Sequence, residues 1–383
     1  MRVALVTNTL PPEGRGGAEA YVAALARELA ERHEVLVMTG ASVSLDGVKT
    51  RRLPGLPQLS HTTNPVRKAI WHGLDQWLPG VHRAMRRALD EFRPDVVHTH
   101  AVQGLSAAVF TAIRSARAKH VHTAHDLGLL CARVTMTRDG EFCGGACATC
   151  RVQREIRGRA AASRLDLLIA PSDHVRKRHV EAGLLPGERT RTIRQGAEPA
   201  PPLQRPVRGL DEPRLGYIGT LSQIKGVATL LEAFRSAPAD WRLSVAGTGD
   251  LEPLVRERAS GDPRIDFRGR VDAAEKEFFF ADVDLLVIPS EWEENAPLVA
   301  VEAAVRALPA VVSDRGGLPE TAEAEVFPAR DPAALLEAVR RLFETPPLLE
   351  ERSRRLIARR EEFLWTTHVA ELERALTQVA TAR

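Results

Sequence analysis

Short apolar runs alternate with amphipathic stretches along almost the whole chain. Val3–Val6 is an unbroken apolar run within the strand-like stretch Val3–Thr7, as expected for a strand buried on both faces. Ala18–Glu31 follows, with Tyr21, Val22, Leu25 and Leu29 at helical spacing. Val35–Met38 reads as a strand. The polar stretch containing Pro54, Pro57, Asn64 and Pro65 reads as loop and short helix. Val81–Phe92 reads as helix, and Asp95–His98 as a strand after Pro94. His120–Thr123, Leu167–Ala170 and Thr190–Ile193 are further strand-like runs. Strands alternating with helices predict a parallel sheet covered on both faces.

The alternation pauses at Glu198–Pro213, where Pro199, Pro201, Pro202, Pro206 and Pro213 exclude a continuing helix or a central strand. It restarts with strand-like runs at Arg214–Gly219, Arg242–Ala246, Ile265–Phe267, Asp284–Ile288 and Ala310–Ser313. The clearest helices of this half are Val227–Arg235 and Pro297–Ala307, and Leu335–Ala380 is helical in composition. The expected organisation is an α/β chain of two doubly wound, Rossmann-like domains facing a central cleft. They run over 1–197 and 214–364, with a linker at 198–213 and a last helix, 365–383, packing back on the first domain. Ligands of such sheets bind beyond the carboxyl ends of the strands. Residues just after the strands are therefore the ones to examine.

Composition narrows the function classes. The chain has 383 residues, 44% hydrophobic and 27% charged, with a formal charge of +3, so nothing suggests a nucleic-acid partner. A local basic stretch, Arg151, Arg154, Arg157 and Arg159, reads as a solvated helix face, or alternatively as a landing site for an anionic acceptor or lipid headgroups. A strand beginning next to Met1 leaves no room for a leader, and no apolar run approaches the ~20 residues of a spanning helix. The expected location is cytoplasmic, with peripheral contact at the inner membrane face as the one addition.

Candidate chemistry clusters after the strands. Pro289–Glu302 leaves a strand and enters a helix, with Pro297 expected in its first turn and Asn295 or Ala296 as cap. A helix start of this kind attracts an anion such as a diphosphate. Glu302 stands among Leu298, Val299, Val301 and Ala303, where a carboxylate needs hydrogen-bond partners that ribose hydroxyls would supply. Glu294 precedes the helix; capping and an ordinary ion pair are the structural alternatives for both glutamates. Lys225, between a strand and a helix, suits a leaving diphosphate or simply the solvent. Gly16-Gly17 opens the first helix, as a ligand approach or a tight turn. The dinucleotide fingerprint is absent, since Glu19 falls on its third glycine when read from Gly14, and Gly247-Thr248-Gly249 is weaker still. His125 and Asp126 follow a strand, and His125 could donate to a sugar hydroxyl or move a proton. His98 and His100 alternate at a strand end; a structural role is favoured over a metal pair. Asp282-Val283-Asp284 looks like a metal-binding Asp-x-Asp and is read as strand-edge polarity.

The four cysteines all fall between Cys131 and Cys150. The spacing of Cys131, Cys143, Cys147 and Cys150, with Gly144 and Gly145 available for tight turns, predicts a structural Zn²⁺ closed by four thiolates, taking no part in bond breaking. Free thiols, two disulfides and an iron–sulfur cluster are the alternatives, disulfides being disfavoured in a cytoplasmic protein.

Taken in order, Gly16-Gly17-Ala18-Glu19, Asp95–His100, His125-Asp126, Lys225-Gly226, Glu294 with Glu302, and Ser313–Glu320 resemble the retaining family-4 glycosyltransferases of the GT-B fold, over nearly the whole chain. Glu294 and Glu302 match that family's E-x7-E signature. The resemblance implies an acceptor-binding first domain and a second domain that binds a nucleotide-diphosphate sugar. It implies that Glu302 holds the ribose, Glu294 contacts the donor sugar and Lys225 binds the diphosphate. Asn295, Leu298 and Val299 would approach sugar and phosphates, Val271 would lie at the base, Gly17 would approach the diphosphate and His125 the sugar. It implies transfer to an acceptor hydroxyl with retention and without a catalytic metal, in polysaccharide, glycolipid or metabolite synthesis. A nucleotide-sugar epimerase and a non-catalytic partner subunit of the same fold are the rival readings. Thr220 in place of a second basic residue, Gln195-Gly196, and a short Thr321–Asp331 segment depart from the family pattern.

Overall fold

The computed structural model describes residues 1–382 apart from 15–16, 58–63, 135, 139–140, 144 and 203–211. Gly16, Gly144 and most of the proline-rich stretch read as a linker therefore lie outside the described residues. The chain divides into two compact units. Unit 1 comprises Met1–Met136, Cys143–Ile193 and Val369–Arg383, and unit 2 comprises Thr137–Phe142 and Arg194–His368.

Unit 1 is built on a seven-stranded sheet. Its strands run in the spatial order Lys49–Arg52, Glu34–Thr39, Arg2–Thr7, Val96–Thr99, Lys119–Thr123, Leu167–Ala170 and Thr190–Thr192, all parallel. Val3, Ala4, Leu5 and Val6 are fully buried, as an apolar run between two covered faces requires. The order reverses between Arg2–Thr7 and Val96–Thr99, so the switch point lies there. Lys49–Arg52, in a stretch read as loop and short helix, is the edge strand, which explains why its sequence is polar. The short helix is Pro65–Leu74, begun by Asn64, whose side chain accepts from Val66 N and Arg67 N at 3.0 and 3.2 Å. The last helix, Trp365–Thr381, supplies Glu373, which accepts from Arg32 at 3.1 Å and bonds His33 Nε2 at 2.6 Å within unit 1.

The basic stretch is not uniformly solvated. Arg151 and Arg159 are exposed, but Arg157 is 1% exposed and forms a buried ion pair with Asp75. Its guanidinium also donates to the Asp75 carbonyl at 2.8 Å, while Asp75 Oδ1 accepts from Gly104 N at 2.7 Å and Ser106 N at 3.2 Å. Burial pushes the Asp75 carboxyl upward even against the pull of Arg157. Removing one partner would strand the other charge in the interior. Asp75→Ala is therefore expected to cost unit 1 about 3–5 kcal/mol, read as a lower denaturant midpoint. An unchanged midpoint would contradict this reading of the pair.

Unit 2 has a six-stranded sheet in the order Ile265–Gly269, Arg242–Ala246, Arg214–Ile218, Leu285–Ile288, Ala310–Ser313 and Glu325–Phe327, again all parallel. One core packs Leu243, Val245, Leu285 and Val287 against Leu230 and Phe234 of helix Val227–Arg235 and Leu335 and Val339 of helix Pro332–Phe343. A second core packs Ala246, Leu286 and Ile288 with Phe279, Phe280 and Ala303. Glu325–Phe327, within the short Thr321–Asp331 segment to which no strand was assigned, is the edge strand on this side. The sheet order reverses between Arg214–Ile218 and Leu285–Ile288, whose carboxyl ends lie side by side.

Candidate active site

The loops leaving the two strands at the unit 2 switch point carry Lys225 and Glu294. Lys225 ends the 3-10 turn Gln223–Lys225 after strand Arg214–Ile218; Glu294 lies in the loop after strand Leu285–Ile288. They meet: Lys225 Nζ donates to Glu294 Oε1 at 2.6 Å. The same oxygen accepts from Ser290 Oγ at 2.6 Å, and Lys225 Nζ lies 4.6 Å from the centre of the Trp292 ring. The Glu294 side chain is 6% exposed and that of Lys225 26%, so the carboxylate is buried and the ammonium stands at its mouth.

Two glycines let the loops approach this closely. Gly226 has φ +71°, and a Cβ there would stand 1.8 Å from the Pro289 carbonyl oxygen. Gly316 has φ +59°, and a Cβ there would stand 2.1 Å from the Glu294 carbonyl oxygen, which also accepts from Gly317 N at 2.6 Å. The Ser313–Glu320 run thus serves as the floor under Glu294. Glu291, on the same loop, is held by Thr229 Oγ1 at 2.9 Å and Arg330 Nε at 3.0 Å. Ser290, Thr229 and Arg330 were not legible as site residues, because nothing in their spacing reveals which loop they face.

The helix begins one residue later than expected. It spans Leu298–Val305; Pro297 is its cap residue rather than part of its first turn, and no side chain caps it, so neither Asn295 nor Ala296 does. Leu298 and Val299 occupy the first turn and are partly buried. Asn295, also partly buried, lies beside Glu294 in the chain. Glu302 lies one turn further on, where Lys276 Nζ donates to its Oε1 at 2.5 Å. The carboxylate on an apolar helix is therefore satisfied by a lysine from helix Ala273–Asp282, a partner absent from the sequence expectation. Val271, just before that helix, is partly buried against the second core.

The Asp282-Val283-Asp284 triplet stands at the other end of the sheet. Asp282 pairs with Arg214 at 2.5 Å and with Arg268, and Asp284 Oδ2 accepts from Arg214 N at 3.0 Å. Arg214 begins its strand, whereas Lys225 follows that strand's end, so the triplet is remote from Lys225 and Glu294.

In unit 1, Gly17 is the exposed first residue of helix Gly17–Ala30. His125 follows strand Lys119–Thr123, and its Nε2 lies 3.1 Å from His100 Nδ1. His98 and His100 face the same way, with ring centroids 4.0 Å apart, and Tyr21 packs edge-on against His125 at 4.7 Å. Burial, and then the neighbouring His98, His125 and His122, hold His100 well below the usual imidazole range, so it is neutral. His100, Gln103, His125 and Asp126 border a small pocket of about 10 Å³, room for a single water molecule.

The cysteines are only partly gathered. Cys150 Sγ donates to Cys131 Sγ at 3.6 Å, both buried, while Cys147 is exposed and Cys143 intermediate. Burial pushes the Cys150 thiol up to about 12, and hydrogen bonds from Cys150 pull that of Cys147 down. Among the described residues no three Cys, His, Asp or Glu side chains stand so as to hold a metal ion.

Similarity to known proteins bears on both units. Residues 15–200 match Glycosyltransferase Family 4, and residues 212–345 match Glycosyl transferases group 1. A 42.6 kDa protein in the cps region of Klebsiella pneumoniae is 24% identical over 336 residues, 84% of this chain and 87% of that one. The GDP-mannose-dependent alpha-(1-6)-phosphatidylinositol dimannoside mannosyltransferase of Mycobacterium tuberculosis is 34% identical over 155 residues, 39% of either chain, so well under half of that enzyme is matched. The Anabaena HepE protein, solved in complex with UDP, has the same fold, with a TM-score of 0.75 over 99% of this chain and 100% of that one at 17% identity. Two doubly wound parallel sheets, each half matched in its own right, leave one assignment: the chain belongs to the family-4, group 1 glycosyltransferases of the GT-B fold.

Proposed function

We propose that this glycosyltransferase moves a sugar, with retention of anomeric configuration, from a nucleoside diphosphate to an acceptor hydroxyl. The observation that carries the reading is the Lys225–Glu294 contact at the switch point, at the crevice where doubly wound sheets bind ligands. An arriving diphosphate competes with Glu294 for the Lys225 ammonium and frees the carboxylate to accept from donor-sugar hydroxyls. The backbone of Leu298 and Val299 faces the phosphates, Asn295 the sugar and phosphates. Glu302, already beside Lys276, accepts from the ribose hydroxyls, with Val271 near the base. Gly17 and His125, both carried by unit 1, are further residues proposed to contact the donor.

In the transfer, the acceptor oxygen bonds to the anomeric carbon as the bond from that carbon to the β-phosphate oxygen breaks. The hydroxyl proton passes to the departing phosphate on the same face. Lys225 offsets the negative charge that develops there, the task a metal performs elsewhere. Metal independence is part of the proposal, supported by the engagement of Asp282 and Asp284 with Arg214 and Arg268. The related structure with UDP and the GDP-mannose-dependent relative make both donors first choices for assay.

The test is turnover of a panel of nucleoside diphosphate sugars with sugar acceptors, in chelator, with the anomeric configuration of the product read by NMR. Retention with nucleoside diphosphate release is expected. Inversion, or a strict need for added divalent metal, would overturn the corresponding part. Donor epimerised without acceptor would establish the epimerase reading, and donor binding without any turnover the non-catalytic one.

A further inference from the structure

The turn that carries Lys225 has little of its own to hold it. Gln223–Lys225 is a single 3-10 turn, and none of its side chains is buried. Lys225 N donates to the Ser222 carbonyl at 3.1 Å and Gly226 N to the Gln223 carbonyl at 2.9 Å. One short turn with strained hydrogen-bond geometry and no core contact is not rigid by itself. The flexible four-carbon stem of the lysine cannot supply the missing precision.

Glu291 grips that turn from both sides. Its backbone N–H donates to the Ile224 carbonyl at 2.9 Å. Its Oε1 accepts from Gln223 Nε2 at 3.3 Å, before the lysine, and from Thr229 Oγ1 at 2.9 Å, in the first turn of the helix after it. Its Oε2 accepts from Arg330 Nε at 3.0 Å, from the loop after edge strand Glu325–Phe327. The Glu291 side chain is 5% exposed, so water competes little for these bonds. Three residues further along the same loop stands Glu294, fastened separately by Ser290 Oγ on its carboxylate and by Gly317 N on its carbonyl, both at 2.6 Å. Glu291 therefore ties the segment bearing Lys225 to the segment bearing Glu294. Two carboxylates on one buried loop would repel, and Arg330 offsets one as Lys225 offsets the other.

We propose that Glu291 is a positioning residue for the transfer, holding the Gln223–Lys225 turn in place when an arriving diphosphate takes the Lys225 ammonium from Glu294. While Lys225 rests on Glu294, that contact helps to fix the turn. Once it is given up, the grip of Glu291 on Gln223, Ile224 and Thr229 keeps the cation where the leaving phosphate needs it. This consequence for transfer rests on the role proposed for Lys225; the tether itself does not, and the two are tested apart.

Acetylation of the full chain by a limiting active ester, read by peptide mass spectrometry, reports on the tether without any donor. Lys225 should react about 10-fold faster in Glu291→Ala than in the wild type, because a loosened turn releases its amine from Glu294. Glu294→Gln, which removes the counter-ion directly, sets the upper limit. Thr229→Val deletes one hydroxyl donor and leaves both charges, and should give a smaller rise in the same direction. Lys276, paired with Glu302 in the same unit, should keep its wild-type rate in every variant, whereas a general loss of structure would raise it too. UDP, GDP and ADP are then added. The nucleotide that protects Lys225 in the wild type should be needed at about 10-fold higher concentration in Glu291→Ala. An unchanged Lys225 rate in Glu291→Ala overturns the inference, and so does a rise that Lys276 shares. Protection by none of the nucleotides, with the Glu291 effect present, overturns the donor role of Lys225 and the consequence for transfer, and leaves the tether standing.

Discussion

Glu294→Gln should lower turnover about 10²–10³-fold with the fold intact, the loss typical of removing one oriented polar group that acts in the transition state. The substitution keeps size and shape but removes the charge against which Lys225 Nζ and Ser290 Oγ are both set at 2.6 Å. Lys225→Ala should act differently. It removes the cation proposed for the diphosphate and leaves Glu294 buried without its counter-ion, so donor KM should rise as kcat falls. Glu302→Gln should raise donor KM with little change in kcat, because ribose binding, the role proposed for it, is the same in ground and transition states. Steady-state kinetics on the three variants separates these outcomes. Near-normal turnover in all three would mean that the crevice at this switch point is not the donor site.

Acidification should destabilise unit 1 steeply. His100 and His122 are held well below the usual imidazole range, His120 is lowered to about 3 and His179 to about 4, in each case chiefly by burial. The folded form keeps these rings neutral, whereas the unfolded chain protonates them near the ordinary value of about 6.5. Their contribution is therefore complete above pH 6.5 and is lost as the pH falls towards their depressed folded values. Below pH 6 each ring costs about 1.4 kcal/mol per pH unit. Four such rings make the slope on the order of 4–6 kcal/mol per unit. The Asp75 and Asp126 carboxyls, raised by burial, take up protons in the fold and offset part of this at the acid end. Unit 2 carries a single comparable group, His368, lowered to about 4. Amide exchange from pH 7 to 5 should therefore show unit 1 opening first. Equal protection of both units across that range would contradict the argument, and His120→Gln should flatten the slope by about one proton.

What the chain alone determined was the layered plan. Buried parallel strands are apolar on both faces, so Val3–Val6, Leu167–Ala170, Leu285–Ile288 and Ala310–Ser313 are legible with no knowledge of their neighbours. The edge strands Lys49–Arg52 and Glu325–Phe327 are half solvated and carry no such run, which is why neither was read as a strand. The candidate site residues were visible because the proposed chemistry restricts residue type and such folds bind ligands just after their strands. Their partners were not. Only the packed structure could set Lys225 on Glu294 rather than in solvent, give Glu302 the ammonium of Lys276, and bury Arg157 against Asp75 when its sequence neighbours Arg151 and Arg159 are exposed. It also set Cys150 against Cys131 in the interior while leaving Cys147 exposed, a difference that spacing does not encode. Periodicity follows from local geometry and the partition of side chains between water and core. Which charge meets which depends on loops brought together across a sheet from residues roughly 70 positions apart, and no local rule encodes that choice.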